Sequence, residues 1–162
     1  PQIAELKIEK YYFNRLIKIS VKEREKFGIW CQETRCWWFD KNGVIFLEAP
    51  SMEGGLINKI NDFSGRPLEL GDKILEEKFL SNLLKIFEII EKSDLKIKSL
   101  RLEDIALQEV IADLPPLPKI YFSLRIDPSF TLAALEAMKK NGLGKIEYID
   151  LRTENRAYYK IK

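Results

Sequence analysis

The closing stretch of the chain, Lys145 to Lys162, constrains its fold more than any other segment. Apolar and polar side chains alternate from Ile146 to Leu151, a polar tip follows at Thr153 to Asn155, and Arg156 to Ile161 forms a second extended run. Two such runs around a polar tip predict a β-hairpin. Because no later strand of this sequence covers the second run, we expect it to lie at a sheet edge, with backbone N–H and C=O groups open to a partner.

Composition narrows the possible functions. The chain has 162 residues, and its 27 basic and 25 acidic side chains give a formal net charge of +2. These charges are spread along the chain, so we expect no nucleic-acid partner, which usually meets a concentrated basic patch. The chain contains no histidine, the commonest general base and a frequent metal ligand. This excludes hydrolase triads and histidine-containing zinc sites within the chain, but not carboxylate or lysine chemistry. Because no catalytic cluster is visible, we expect a binding protein without catalytic residues, cofactor or metal site, large enough to bury its own core.

The beginning of the chain predicts a second hairpin. Ile3 to Glu9 and Arg15 to Glu25 carry alternating apolar and polar residues, and Tyr11 to Asn14 lies near the turn between them. We expect the aromatic residues of this turn to pack at a domain junction rather than to bind a ligand. The sequence starts with Pro1 and enters directly into an extended run, so we interpret it as a fragment of a longer protein.

A three-stranded meander is predicted next. Its strands are Phe27 to Cys31, Cys36 to Asp40 and Val44 to Leu47. The Asp40 to Gly43 turn contains Asn-Gly, which favours a tight hairpin because both residues tolerate positive φ.

The segment from Ala49 to Gly71 is rich in Gly and Pro and is predicted to be mostly loop, with a helical turn at Leu56 to Ile60 and a short strand at Pro67 to Leu70. A long helix is predicted from Asp72, as N-cap, to about Lys92. Its apolar side chains recur at helical spacing, as amphipathic helices require: Leu75, Phe79, Leu83, Phe87 and Ile90.

The rest of the chain adds strands and one more helix. Strands are predicted at Leu95 to Glu103, Ile105 to Ala112 and Ile120 to Ile126, with a bulge between Ile97 and Leu100. A second helix, capped by Ser129 or Thr131, is predicted to end at Asn141-Gly142. Two helices among many strands, without regular βαβ alternation, predict an α+β fold whose largely antiparallel sheet is covered by the helices.

Two cysteines occupy the inner ends of the first two meander strands. Cys31 and Cys36 would face each other as the last pair before a four-residue loop, close enough for a disulfide. Two reduced, partly buried thiols are equally compatible with the spacing. An extracytoplasmic location would favour the disulfide.

Three ordered motifs resemble the ectodomain of the bacterial division proteins FtsQ/DivIB. The motifs are I-K-I-S-V-K-E-R-E at Ile17 to Glu25, Trp30 followed by W-F-D-K-N-G-V-I-F at Trp38 to Phe46, and Y-I-D-L-R at Tyr148 to Arg152. The run N-R-A-Y-Y-K at Asn155 to Lys160 is similar to the closing strand of that family. The resemblance covers almost the whole chain.

The resemblance implies an architecture. Family members have one transmembrane helix, a POTRA domain and a larger β domain. Residues 1–25 would be the last strand pair of a truncated POTRA domain, and residues 26–162 would form the β domain, a curved sheet covered by two main helices. The protein would be a single-pass protein of the cell membrane, with this fragment on the extracytoplasmic side and its membrane anchor outside the fragment.

The resemblance also implies a function. The family is a non-enzymatic scaffold that binds the division proteins FtsB and FtsL and through them regulates septal peptidoglycan synthesis. The partner would add a strand to the closing edge. The implied partner-binding residues are Arg152, Thr153, Arg156, Ala157, Tyr158, Tyr159 and Lys160.

Other interpretations of the same features remain open. Asp150, Arg152, Glu154 and Arg156 alternate along the closing hairpin, as in a recognition surface or in ordinary cross-strand pairs on a solvated face. A POTRA-linked module that binds polypeptides for secretion or outer-membrane assembly would use the same strand addition for different clients.

Overall fold

The computed structural model describes residues 1–51, 58–97, 99–113, 115–116 and 118–162. Within these ranges the chain forms a two-stranded sheet and a nine-stranded sheet with two α-helices. The two-stranded sheet contains β1 (Ile3–Tyr11) and β2 (Leu16–Glu23). The chain is therefore α+β, as the sequence predicts.

The large sheet is built from the remaining strands and is interrupted by the helices. The elements, in chain order, are β3 (Gly28–Gln32), β4 (Arg35–Phe39), β5 (Ile45–Ala49), β6 (Asn58–Asp62), α1 (Glu77–Lys92), β7 (Leu100–Leu102), β8 (Glu109–Ala112), β9 (Lys119–Ser123), α2 (Thr131–Asn141), β10 (Ile146–Thr153) and β11 (Arg156–Ile161). A 3₁₀ helix, Pro128–Phe130, precedes α2, and a second, Leu143–Lys145, follows it.

The strand order across the large sheet is β11-β10-β9-β8-β7-β6-β3-β4-β5. Three junctions are parallel, β3 with β6, β6 with β7 and β9 with β10, whereas the other described junctions are antiparallel. Two of the parallel junctions join strands that α1 or α2 connects, because neighbouring parallel strands need a long crossover. The sheet is thus mixed, and the expectation of a largely antiparallel sheet misses these crossovers.

Helix α1 covers one face of this sheet. Its apolar stripe includes Leu83 and Ile86, both fully buried, and it packs in one cluster with the inward-facing Trp30, Ile60 and Leu100. Burial of such side chains is the main contribution to folding, roughly 1.5–3 kcal/mol each. Helix α2 adds Leu135 and Met138 to the same cluster.

The beginning of α1 differs from the prediction. The helix starts at Glu77, and Asp72 is not its N-cap, because the chain around Asp72 is held against β5: Ile45 N donates to Asp72 O, and Gly71 N donates to Ile45 O. The Asp72 carboxylate instead accepts from Glu69 N at 2.9 Å. These bonds keep the segment before α1 non-helical.

Two short elements predicted in the preceding loop are wrong. Residues 58–60 of the predicted helical turn begin β6, where Ile60 is fully buried between two parallel neighbours. Leu56 and the residue after it lie outside the described residues. Pro67 to Leu70 is not a strand.

The later strands are shorter than predicted. The described residues between Leu95 and Ser99 do not form a strand. The predicted bulge between Ile97 and Leu100 includes residue 98, which lies outside the described ranges. A turn precedes β8 because Asp104 Oδ1 accepts from Ala106 N at 2.8 Å, and strand β9 ends at Ser123.

The second helix begins and ends at identifiable signals. The Asp127 carboxylate caps the 3₁₀ helix that precedes α2 by accepting from Ser129 N at 2.9 Å, so neither Ser129 nor Thr131 is the N-cap. The Thr131 hydroxyl donates back to Pro128 O at 2.7 Å. The predicted C-terminal signal is confirmed, because Gly142 ends α2 with a φ of 89°, which glycine adopts without steric cost.

The first hairpin carries an apolar side that the described chain leaves exposed. Cross-strand partners share a side of a hairpin, and the pairs Leu6 with Val21 and Ile8 with Ile19 place these apolar side chains together. All four are more than half exposed. The opposite side is charged, with a Glu5–Lys22 ion pair.

A part-buried ion pair connects the first hairpin to the large sheet. The Arg24 guanidinium donates to Asp40 Oδ2 at 2.6 Å and, through Nε, to Pro1 O at 2.8 Å. The other Asp40 oxygen accepts from Asn42 N and Val44 N, which closes the turn between β4 and β5. Arg24 therefore ties the start of β1 to the turn after β4.

Candidate partner-binding edge

Strand β11 ends the strand order of the large sheet. It pairs with β10 in antiparallel register, with Tyr159 opposite Ile149 and Tyr158 opposite Asp150. The closing hairpin and its terminal position in the sheet agree with the sequence-based expectation. The turn between the two strands includes Asn155 at a φ of 55°, a conformation that asparagine tolerates better than most residues.

The backbone direction along β11 follows from one hydrogen bond. Lys162 N donates to Lys145 O at 3.0 Å. The register shifts of this hairpin fall on the β10 side, so the alternation along β11 is regular. Because successive residues of a strand direct their N–H and C=O groups to opposite sides, Tyr158 and Lys160 face β10. Ala157, Tyr159 and Ile161 then direct theirs away from the sheet.

The side chains of β11 alternate between the two faces of the sheet. Tyr159 shares its face with fully buried Ile149, the face that the helices cover, and Ala157 packs there against the main core. Tyr158 shares the opposite face with Asp150. Tyr158, Tyr159 and Ile161 are respectively 49%, 54% and 63% exposed. An added strand would therefore meet apolar and aromatic surface beside the open backbone groups.

Arg152 is already engaged within the chain. Its guanidinium donates to Asp150 Oδ2 at 2.6 Å and to Glu109 Oε2 at 2.8 Å, and it lies over the ring of Tyr121 at 5.1 Å from the centroid. Tyr148 meets the same ring edge-on. Arg152 thus joins β8, β9 and β10, and this geometry makes it a support of the edge rather than an open contact residue.

The remaining predicted site residues lie along the hairpin. Thr153 pairs with Arg156 next to the turn. Lys160 forms an ion pair with Glu147 at 2.8 Å, and this hydrogen-bonded carboxylate raises the pKa of Lys160. Exposed ion pairs contribute little to stability, so a partner can replace this one. The structure therefore brings the predicted set together on one hairpin.

The contact between Arg152 and Asp150 makes the stability of the fold depend on pH. Its hydrogen bonds lower the pKa of the Asp150 carboxyl below the ordinary value of 3.8. The stabilisation from this depressed pKa is present above the unfolded pKa and is lost as the pH falls through the lower folded pKa. We expect Arg152→Gln to return the Asp150 pKa toward its ordinary value, as measured by NMR titration of carboxyl carbons. An unchanged Asp150 titration would contradict this account, and Arg125→Gln, which removes a guanidinium from another loop, is the control.

The cysteines lie at the far side of the sheet from this edge. Cys31 and Cys36 are paired in register between β3 and β4 and are joined by a disulfide, one of the two states that the sequence leaves open. They pack with Ile29 and the partly buried Trp38 in a small cluster of their own. The disulfide therefore closes a hairpin and has no direct contact with β11.

Several residues of these networks are not evident from sequence. Asp62 accepts from the Trp30 indole at 3.0 Å and from the Gln32 amide at 2.7 Å, in a site where Asp62 is 3% exposed. Glu109 and Tyr121 meet Arg152 only through the strand order. The aromatic turn of the first hairpin also differs from its prediction: Tyr12 and Phe13 pack against no domain junction in the described chain.

Two further observations concern chemistry and membranes. Among the described residues, no three His, Cys, Asp or Glu side chains are grouped so that they could hold a metal ion. None of the helices within those ranges combines the length and the apolar character needed to cross a bilayer.

No protein-family model matches the chain, and a search of curated proteins finds no significant match to it.

Proposed function

We propose that this chain is the extracytoplasmic part of a non-enzymatic scaffold of the bacterial division machinery, similar to FtsQ/DivIB. It binds FtsB/FtsL-type proteins by strand addition at β11 and so helps to regulate septal peptidoglycan synthesis. The observation that carries this proposal is the outward-facing backbone of Ala157, Tyr159 and Ile161 on a terminal strand. An added strand gains main-chain hydrogen bonds there, and the exposed tyrosines supply selectivity.

Other features support the same proposal. The separate two-stranded sheet agrees with residues 1–25 being the last strand pair of a POTRA domain, and the nine-stranded sheet agrees with residues 26–162 being a β domain. The Cys31–Cys36 disulfide supports an extracytoplasmic location, because disulfides persist in oxidising compartments. In this proposal the protein is attached to the cell membrane by a single anchor outside the fragment.

Replacing Tyr159 with proline tests strand addition directly. Proline removes an outward-facing N–H without removing a bond to β10, and its ring obstructs a neighbouring strand. We expect the affinity for a peptide from the FtsB-type protein of the same genome to fall by more than about tenfold, the equivalent of about 1.4 kcal/mol. Isothermal titration calorimetry measures this change.

A matched variant separates backbone from side chain. Tyr159→Thr keeps the N–H and loses the ring, so we expect a smaller loss than with proline. Equal affinity of the parent chain and Tyr159→Pro would exclude β11 as the docking strand. If unrelated strand-forming peptides bind as tightly as the FtsB-type peptide, the chain is instead a general polypeptide-binding module of the kind used in secretion or outer-membrane assembly.

A further inference from the structure

The turn of the first hairpin projects aromatic side chains into solvent. β1 ends at Tyr11 and β2 begins at Leu16, and a four-residue turn between them is closed by Arg15 N donating to Tyr12 O. Tyr12 is 81% exposed and Phe13 is fully exposed. We call residues 10–16 the hairpin tip. Phenylalanine and tyrosine are usually at least partly buried, so this degree of exposure indicates a contact surface.

The segment around this tip is basic. Residues 7–18 contain Lys7, Lys10, Arg15 and Lys18 but a single acidic residue, Glu9, which gives them a net charge of +3. The whole chain carries only +2, so the remainder is slightly acidic. Glu9 is already paired with Lys7 at 2.9 Å. The exposed aromatic turn therefore lies in a segment with a local excess of positive charge.

A depression on the side of the tip is lined by both apolar and basic side chains. It has a volume of about 310 Å³, and Tyr11, Tyr12, Leu16 and Ile17 line it together with Lys10 and Arg15. An apolar floor with a cationic rim matches the boundary between the phosphate groups and the acyl chains of a phospholipid. Aromatic rings concentrate at this boundary in membrane proteins, and lysine and arginine side chains are drawn to anionic headgroups.

We propose that the hairpin tip docks on the surface of an anionic lipid bilayer. Tyr12 and Phe13 enter the interfacial region, and Lys10 and Arg15 contact lipid phosphates. The shape of the tip favours a bilayer over a protein partner. A four-residue turn offers far less than the roughly 800 Å² per partner that a stable protein interface buries, whereas a bilayer receives an isolated projecting loop. The contact does not depend on strand addition at β11.

Vesicle co-sedimentation tests this proposal. We expect the chain to bind vesicles of equal parts phosphatidylglycerol and phosphatidylcholine, and to bind phosphatidylcholine vesicles weakly. Changing Tyr12 and Phe13 together to serine should lower the affinity by at least about tenfold, because interfacial burial of their rings is lost. Lys10→Gln and Arg15→Gln should each lower it about fivefold, and added salt should weaken binding further.

Controls distinguish the tip from other exposed apolar residues. Ile19→Ser changes a residue of the same hairpin that is 61% exposed but lies away from the tip, and Leu107→Ser changes one in a distant loop that is 53% exposed. Both should bind vesicles as the parent chain does, and Tyr159→Pro should too. Melting temperatures confirm that each variant is folded.

A direct probe completes the test. In Phe13→Trp, the new indole should show a blue-shifted emission on addition of the anionic vesicles, because it leaves water. The proposal is overturned if the parent chain fails to bind these vesicles, if the serine variants bind as tightly as the parent, or if Ile19→Ser loses as much affinity as they do.

Discussion

Replacing Trp30 with alanine should lower the free energy of unfolding by about 3–5 kcal/mol. Trp30 is fully buried in the middle of the main core, and its indole N–H donates to Asp62. The substitution leaves a cavity beneath α1 and deprives a buried carboxylate of a hydrogen bond. Both effects destabilise, and together they approach the total stability of a typical domain, roughly 5–15 kcal/mol. Denaturation in urea, followed by circular dichroism, measures the change.

Two comparison variants show how much of this loss of stability comes from the lost hydrogen bond and how much depends on the buried position of Trp30. Trp30→Phe keeps most of the apolar volume but removes the bond to Asp62, so it should cost less than alanine. Trp38→Ala removes the same residue type from a half-buried position beside Lys26 and should also cost less. A Trp38→Ala loss equal to or greater than that of Trp30→Ala would contradict the central position assigned to Trp30.

Replacing Asp40 with alanine should cost about 3 kcal/mol, near the lower end of values for broken buried ion pairs. The change leaves the Arg24 guanidinium, only 18% exposed, without its carboxylate partner. It also leaves Asn42 N and Val44 N without their acceptor at the turn. An unpaired charge at a part-buried position and unmet backbone donors each carry a desolvation penalty. The same unfolding experiment measures the loss.

Comparison variants separate the ion pair from the turn. Asp40→Asn keeps an oxygen for the two backbone N–H groups and removes the charge, so it should cost less than alanine. Asp72→Ala removes an exposed carboxylate that accepts from one backbone N–H and should change stability by less than about 1 kcal/mol. If Asp40→Ala and Asp72→Ala have equal effects, the Arg24 contact does not stabilise the fold.

Local patterns in the sequence are sufficient for some of these elements. The stripe of α1 and the alternation of the closing hairpin are both periodic over many residues, so their type is evident before any tertiary contact is known. Strand β6 is different, since Ile60 is its only large apolar residue among Asn, Lys and Asp. Its burial is imposed by β3 and β7 on either side. Long-range strand order therefore decides elements that local propensity leaves ambiguous.

The same contrast between local sequence pattern and long-range strand order applies to the candidate edge strand β11. The pairing of β10 with β11 was predictable from the closing alternation and the polar tip, and the exposure of Tyr158 and Tyr159 agrees with a strand at the edge of the sheet. The engagement of Arg152 was not predictable, because Glu109 and Tyr121 are distant in sequence and reach it through β8 and β9. Sequence periodicity identifies which residues share a strand but not which strands are neighbours.

The antiparallel pairing of β10 with β11 has a consequence for shortened forms of the protein. Removal of residues 156–162 would leave β10, held by β9, as the outermost strand. The new sheet edge would lie one strand spacing inward, about 4.8 Å. Because β10 is antiparallel to β11, the strand at this edge would run in the opposite direction. A ligand that had lain antiparallel to the lost strand would have to turn end for end to keep that orientation.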